Sequence, residues 1–251
     1  MSRRATAIIL ARAGSKGVPG KNTADIAGRP CVAWSILAAR SAARVASIAV
    51  SSDSERVLAL AREHGAVPIQ RPPDLAHDTA RIDDAARHAV ETLDRAPGAP
   101  DPDERDAFVL LYANVPIRPE GLIDRALDLL EHSGADSVQS YTGVGKHHPW
   151  WTARLDADSR VGPWEGDTLN HAVFRRQDLP PAWIPDGGVI ALTRRALFLR
   201  VPGVPPGPHA FFGLDRRAVT SEPGSVVDID TPEDLEIARL RLARRAADAG
   251  A

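Results

Sequence analysis

Residues 5–22 read ATAIILARAGSKGVPGKN, and the change of character at Ala11 decides the fold. Residues 5–10 carry no charge, as a strand buried on both faces of a parallel sheet requires. The loop that follows places Gly14, Gly17 and Gly20 at three-residue intervals, beside Arg12, Lys16 and Lys21. Glycine permits tight turns and lets backbone N–H groups come close to a ligand. The chain has three lysines, and two of them, Lys16 and Lys21, sit in this one loop. A cationic, glycine-rich loop at the end of a buried strand is physically a cradle for phosphate. It is neither of two common phosphate loops. A Walker A loop leaves four residues before its Gly-Lys pair and then has Ser or Thr; here five separate Gly14 from Gly20, and Asn22 follows Lys21. The GxxGxxG spacing also departs from the dinucleotide fingerprint GxGxxG, which argues against a dehydrogenase.

Downstream, short apolar runs alternate with amphipathic stretches, the pattern of βα units on a parallel sheet. Strands are predicted over 47–51, 67–70, 108–112 and 137–141, and helices over 30–44, 83–95 and 120–132. Ser52 and Glu55 have the spacing of a capping box, which predicts another helix running to about His64. Asp78 is a candidate N-cap for the helix at 83–95. Residues 96–106, APGAPDPDERD, read as a polar surface loop too short to be a domain linker. From 143 to 185 the chain is rich in Trp, His and Pro and has no clear periodicity. An insertion lying over a site or against a partner subunit reads this way. Regularity returns at 188–193, 218–220 and 226–229, and a final helix is predicted from Pro232 with Thr231 as its N-cap. The whole predicts one domain over 1–251, a three-layer α/β/α fold with a mostly parallel central sheet and an irregular inserted region at 143–185.

The chain is 251 residues long, 43% hydrophobic and 25% charged, as a globular protein is. At this size the core needs no disulfide or metal staple. A net charge of −2 supplies no global positive field. Neither nucleic acid nor a membrane is therefore expected as a partner, and any polyanion has to be held by a local cluster. Cys31, the single cysteine, lies in an apolar run as a buried structural thiol does, and fits a reducing compartment. The start, SRRATAIILA, superficially imitates a signal peptide. Its apolar stretch is short, however, and runs into Arg12, Lys16 and Lys21 with no small-residue cleavage region. No apolar run approaches the ~20 residues of a membrane span. The expectation is a soluble, cytoplasmic protein.

The segment IILARAGSKGVPGKN closely resembles the signature loop of the acylneuraminate (CMP-sialic acid) cytidylyltransferases, and four further segments resemble the same family in the same order. The resemblance implies a nucleotide-diphospho-sugar transferase fold of Rossmann-like, GT-A-like type that binds CTP. It makes Arg12 and Lys21 triphosphate ligands, with Ala11, Gly14, Ser15, Lys16, Gly17 and Asn22 in supporting contact. RPPDLAHDTA, residues 71–80, resembles a family segment near the nucleotide and adds Arg71, Asp78 and Thr79. HHPWW, residues 147–151, resembles an element near the sugar pocket. Neighbouring side chains on an extended segment point to opposite faces, so at most one histidine, His148, is expected at substrate. FRRQDLPPAWIPDGG, residues 174–188, makes Arg175 and Arg176 candidates for gripping a sugar carboxylate.

VVDIDTPEDL, residues 226–235, resembles the family's DIDTPEDL motif almost letter for letter. Asp228 and Asp230, one residue apart at a predicted strand end, can turn two carboxylates to one side. Magnesium takes one or two carboxylates and fills its octahedron with water and substrate phosphates. The expected catalytic set is Arg12, Lys21 and Asp230, with Mg2+ on Asp228 and Asp230. Two segments depart from the family. LLYANVPIR has Tyr112 where glutamine is common and Asn114-Val115 where Thr-Ser is common, while Arg118 remains. DGGVI places Asp186 where asparagine is usual. Both departures fall on the acceptor side, so the acceptor is either an N-acylneuraminate or another acid such as Kdo, legionaminate, pseudaminate or a phosphonate. A non-catalytic nucleotide-binding relative is the third possibility. The resemblance also implies a homodimer, with 143–185 as its interface.

Overall fold

The computed structural model describes residues 5–14, 16–103 and 106–249. Its main sheet contains β1 (Ala5–Leu10), β2 (Val45–Ser52), β3 (Val67–Gln70), β4 (Ala107–Tyr112), β5 (Ser137–Gly143), β6 (Trp183–Thr193) and β7 (Arg216–Ser221). The strand order is β7-β5-β6-β4-β1-β2-β3. All pairings are parallel except those of β6, which runs antiparallel to both β4 and β5. The helices are α1 (Cys31–Ser41), α2 (Glu55–Glu63), α3 (Ile82–Asp94), α4 (Leu122–Ser133), the short α5 (Arg194–Leu197) and α6 (Pro232–Ala249). None of the described helices is long and apolar enough to cross a membrane.

The alternation of β1 shows why the chain folds in three layers. Ala5, Ala7, Ile9 and Ala11 face a core shared with α1, α2 and α4, through Ile36, Val57 and Leu127 among others. Ile8 and Leu10 face the opposite way, onto α3 through Ala86 and Val90, and onto Phe211 and Phe212. A strand buried on both faces needs apolar residues at every position, and β1 has them but for Thr6. A third, smaller cluster of Val18, Ile26, Cys31, Ile229 and Leu242 packs α6 beneath the glycine-rich loop. Cys31 is fully buried there, and burial pushes its thiol up to about 12. Such a thiol is chemically quiet.

Local chemistry differs from the sequence expectation at three places. The cap of α2 is Ser54, whose Oγ accepts from Val57 N at 3.4 Å. Ser52 is instead the last residue of β2, and its Oγ donates to the Ala11 carbonyl at 2.5 Å. The first turn of α3 has Arg81 before it with no side-chain cap, so Asp78 does not cap this helix. Residues 226–229 are not a strand: a single antiparallel bridge joins Val227 to Ile117. At α6 the expectation holds, since Thr231 Oγ accepts from Asp234 N at 3.2 Å, and the Asp234 carboxylate accepts in return from Thr231 N at 2.8 Å. That reciprocal pair is a capping box. Residues 143–185 contain short 3-10 turns and a small hairpin of Ala153–Leu155 with Val161–Pro163.

Candidate functional site

Parallel strands bring their C-terminal ends to one edge of a sheet, and ligands of open α/β folds bind there. The glycine-rich loop leaves β1 at that edge and is tied down from both sides. Ala11 N donates to the Ser51 carbonyl at 3.0 Å, and Ala13 N donates to Asp53 Oδ1 at 2.7 Å. Asn22 is buried, and its Nδ2 donates to the Arg12 carbonyl at 2.9 Å, closing the loop on itself. Its Oδ1 is a buried acceptor without a partner among the described residues. Gly17 packs against the backbone of Asp230 so closely that a Cβ would lie 2.1 Å from the carbonyl oxygen, well inside contact distance. Ser15 lies outside the described residues.

The loop's cations divide between two carboxylates. Arg12 Nη1 meets Asp78 Oδ1 at 2.5 Å, and Lys16 Nζ meets Asp78 Oδ2 at 2.6 Å. Hydrogen bonds from Lys16 and then Arg12 hold the Asp78 carboxyl down at about 2. Lys21 Nζ donates to the Ile229 carbonyl at 2.6 Å and to Asp230 Oδ1 at 2.8 Å. Asn114 pins the same segment to the end of β4. Its Nδ2 donates to Asp228 Oδ1, and its carbonyl accepts from Ile229 N at 2.9 Å. Asp228 is half-buried, and its carboxyl is pushed up to about 6, by burial first and by the charge of Asp230 second.

Two adjoining cavities open beside these groups. The first, about 290 Å³, is lined by Arg12, Gly14, Lys21, Asn22, Tyr112 and Asn114 among others. The second, about 570 Å³, is lined by Gln139, Tyr141, His209, Phe211, Phe212 and Arg216 among others. Asp78, Ala80, Arg81, Ile82 and Tyr112 line both and so form the wall between them. Burial and the charge of Asp228 push the Tyr112 phenol up to about 12, so it meets a ligand as a neutral hydroxyl. Thr79 lines the second cavity only.

Four of the remaining expected site residues, Arg71, Arg118, His148 and Asp186, turn their polar atoms into the fold. Arg71 lines the first cavity, yet its Nε donates to Ser51 Oγ at 3.1 Å and its Nη2 to the Ser51 carbonyl at 2.8 Å. Burial lowers it to about 10. Arg118, expected at the acceptor, is buried and bonds Gly188 O at 2.7 Å, Ser35 Oγ at 3.0 Å, Tyr112 O at 3.0 Å and Val115 O. Burial lowers it also to about 10. His148 is buried against the Pro180 carbonyl at 3.0 Å, and its Nδ1 accepts from Trp150 N at 3.1 Å. Asp186 accepts from Ser140 Oγ and Gly188 N on one oxygen and from Ser221 Oγ on the other. Arg118, His148 and Asp186 thus brace loops where substrate contacts were expected. Arg175 pairs with Asp178 at 2.6 Å, and Arg176 lies beside Gly145; neither lines the two cavities.

Sequence reasoning did not single out Asp53, Arg81, Gln139, Tyr141, His209 or Arg216. A signal existed for two of them. Gln139 and Tyr141 alternate with the buried Val138 and Ser140 along β5, so they occupy one face of a strand whose other face is core.

Residues 6–154 match a family model described as cytidylyltransferase. The chain is 30% identical to the N-acylneuraminate cytidylyltransferase of Streptococcus agalactiae serotype III (strain NEM316) over 91% of its own length and 51% of that protein. It therefore spans about half the length of that curated relative. It is 32% identical to the 3-deoxy-manno-octulosonate cytidylyltransferase of Anaeromyxobacter sp. (strain Fw109-5) over 96% of its own length and 98% of that protein. Among solved structures, a CMP:2-keto-3-deoxy-manno-octonic acid synthetase complexed with CTP superimposes with a TM-score of 0.68. It is 19% identical, covering 96% of this chain and 99% of that one, and shows the shared fold.

Proposed function

The chain belongs to the cytidylyltransferase family, and from that premise we propose that it transfers CMP from CTP to the anomeric hydroxyl of an acidic sugar, an N-acylneuraminate or related nonulosonate, releasing pyrophosphate. One observation carries the reading: Arg12 and Lys21 line the first cavity, Asp228 and Asp230 are held against its lining residues Asn114 and Lys21, and the second cavity adjoins it across Tyr112. The first cavity takes the nucleotide. Arg12, Lys16 and Lys21 are within one loop's reach of a triphosphate and offset its charge.

The acceptor occupies the second cavity, with its hydroxyl directed past Tyr112. That oxygen attacks the α-phosphorus and gives up its proton to water, the new P–O bond forms, and the bond from the α-phosphorus to the bridging oxygen of the β-phosphate breaks so that pyrophosphate leaves. Catalysis comes from holding the two reactants in line and from neutralising charge. Asp228 and Asp230 fit magnesium: both offer hard oxygen donors, and the burial and the neighbouring Asp230 charge that raise Asp228 are both offset by a divalent cation. No third ligand residue gathers there among the described residues, which leaves coordination positions for phosphate and water. When bound, the ion supplies polarisation of the α-phosphate.

A second acceptor, 3-deoxy-manno-octulosonate, is favoured by the relative matched over 98% of its length. A homodimer formed through 143–185 is supported by the apolar side chains exposed there, Trp164, Phe174, Trp183 and Ile184. The deciding experiment measures pyrophosphate release from CTP and Mg2+ with N-acetylneuraminate, legionaminate, pseudaminate, Kdo and simple phosphonates. Release with one sugar acid names the acceptor. Tight CTP binding with no release from any of them overturns the reading in favour of a non-catalytic nucleotide binder.

A further inference from the structure

The second cavity holds two arginines, and only one of them has charge to spare. Arg81 is engaged by the buried Asp83 through two parallel hydrogen bonds of 3.0 and 2.8 Å, and also donates to the Gly207 carbonyl at 3.1 Å. Arg216 meets no carboxylate among the described residues. Its Nε donates to the Gly213 carbonyl at 2.9 Å and its Nη2 to the His209 carbonyl at 3.1 Å, while Nη1 makes no hydrogen bond among the described residues. The guanidinium also lies over the Phe212 ring, 5.6 Å from its centroid. Two carbonyls and a ring thus fix the plane of a cation whose outer edge faces the cavity and water. The carboxylates lining this cavity are already neutralised, Asp78 by Arg12 and Lys16, and Asp83 by Arg81 and Arg87.

We propose that Arg216 is the residue that binds the carboxylate of the acidic acceptor and so selects for an acid over a neutral sugar. This rests on the cytidylyltransferase reading above. A preorganised guanidinium loses little freedom when it takes an anion, and a charge-assisted hydrogen bond is about twice as strong as a neutral one. Phe211 and Phe212, with ring centroids 4.1 Å apart, supply the apolar floor on which the sugar's carbon skeleton rests.

The test compares the wild-type protein with Arg216→Gln, using N-acetylneuraminate and Kdo and the C1 methyl ester of each. Loss of one charge-assisted contact is expected to raise the acceptor KM of R216Q by about 10- to 100-fold, with the dissociation constant for CTP unchanged. Unchanged CTP affinity also reports that the variant is folded. Esterification should cost the wild type a similar factor and cost R216Q little, because the two changes remove the same contact. An unaltered acceptor KM in R216Q, or an ester penalty that persists in it, overturns the assignment while leaving the cytidylyltransferase reading intact. A wild-type protein that releases no pyrophosphate with these acids or with any other acceptor of the screen above fails at the earlier step and takes both down.

Discussion

Gly17 and the carbonyl of Asp230 are in backbone contact, with no room between them for a Cβ. Their closeness joins the two ends of the proposed nucleotide site, since Asp230 is also the partner of Lys21. Gly17→Ala should push the loop away from residues 229–230 and separate Lys21 from Asp230. Overpacking of this kind costs about 1–3 kcal/mol. We expect CTP affinity to fall by about tenfold or more, with a smaller loss of melting temperature. Titration calorimetry with CTP beside thermal melts measures both, and an unchanged CTP affinity would mean that the contact is incidental.

Asp186 accepts three hydrogen bonds, from Ser140, Gly188 and Ser221, at the turn that carries Gly187 past Asp228. Asp186→Ala leaves two hydroxyls and a backbone N–H without their acceptor, and each unpaired buried group costs about 1–3 kcal/mol. Urea denaturation should show a clear loss for D186A. D186N keeps an amide oxygen for Ser140 and Gly188 and should lose far less. Equal losses in the two variants would mean that the charge, not the hydrogen-bond geometry, is what matters.

Much of the fold was legible in the sequence because its determinants are local. The uncharged run 5–10 and the glycines after it announce a buried strand and a ligand loop, and Thr231 with Pro232 announces α6. The failures have physical causes too. Ser52 and Ser54 both offer a hydroxyl ahead of Glu55, and only the extent of β2 decides which one is free to cap. Residues 226–229 have strand composition but find no neighbouring edge, so Asn114 holds them as a braced loop. Asp78 looked like a cap because the two cations that claim it lie 66 and 62 positions earlier. The acceptor-side cavity was the least legible part: Arg81, Gln139 and Arg216 are brought together only by the crossing of β6 between β4 and β5.

The Asp228 carboxyl stands at about 6, above its ordinary value of 3.8. A carboxyl raised on folding favours the folded state while it is protonated, and that stability is lost as the pH rises through about 6. In a chelator-treated protein, the wild type should therefore lose stability between about pH 4 and 7 relative to Asp228→Asn. Above that window D228N should be the more stable of the two, and its turnover should be abolished. Melting curves across the window, taken on both proteins, check the sign. A wild type that gains on D228N as the pH rises would show that Lys21 and Arg118 outweigh burial at this carboxyl.

Asp78 occupies Arg12 and Lys16, two of the cations assigned to the triphosphate. A nucleotide entering the first cavity meets these cations already paired, so Asp78 competes with phosphate for them. The Asp78, Arg12 and Lys16 side chains are all well exposed to water, and exposed pairs of this kind contribute little to stability. Asp78→Asn should accordingly leave the melting temperature unchanged. It should tighten CTP binding by about two- to fivefold at low salt, the worth of an exposed ion pair, and the gain should fade as added salt screens the loop. Calorimetric titration of wild type and D78N at two salt concentrations separates the alternatives. Weaker binding in D78N at both would mean that Asp78 holds Arg12 and Lys16 in place for the triphosphate, and that its removal lets the loop wander.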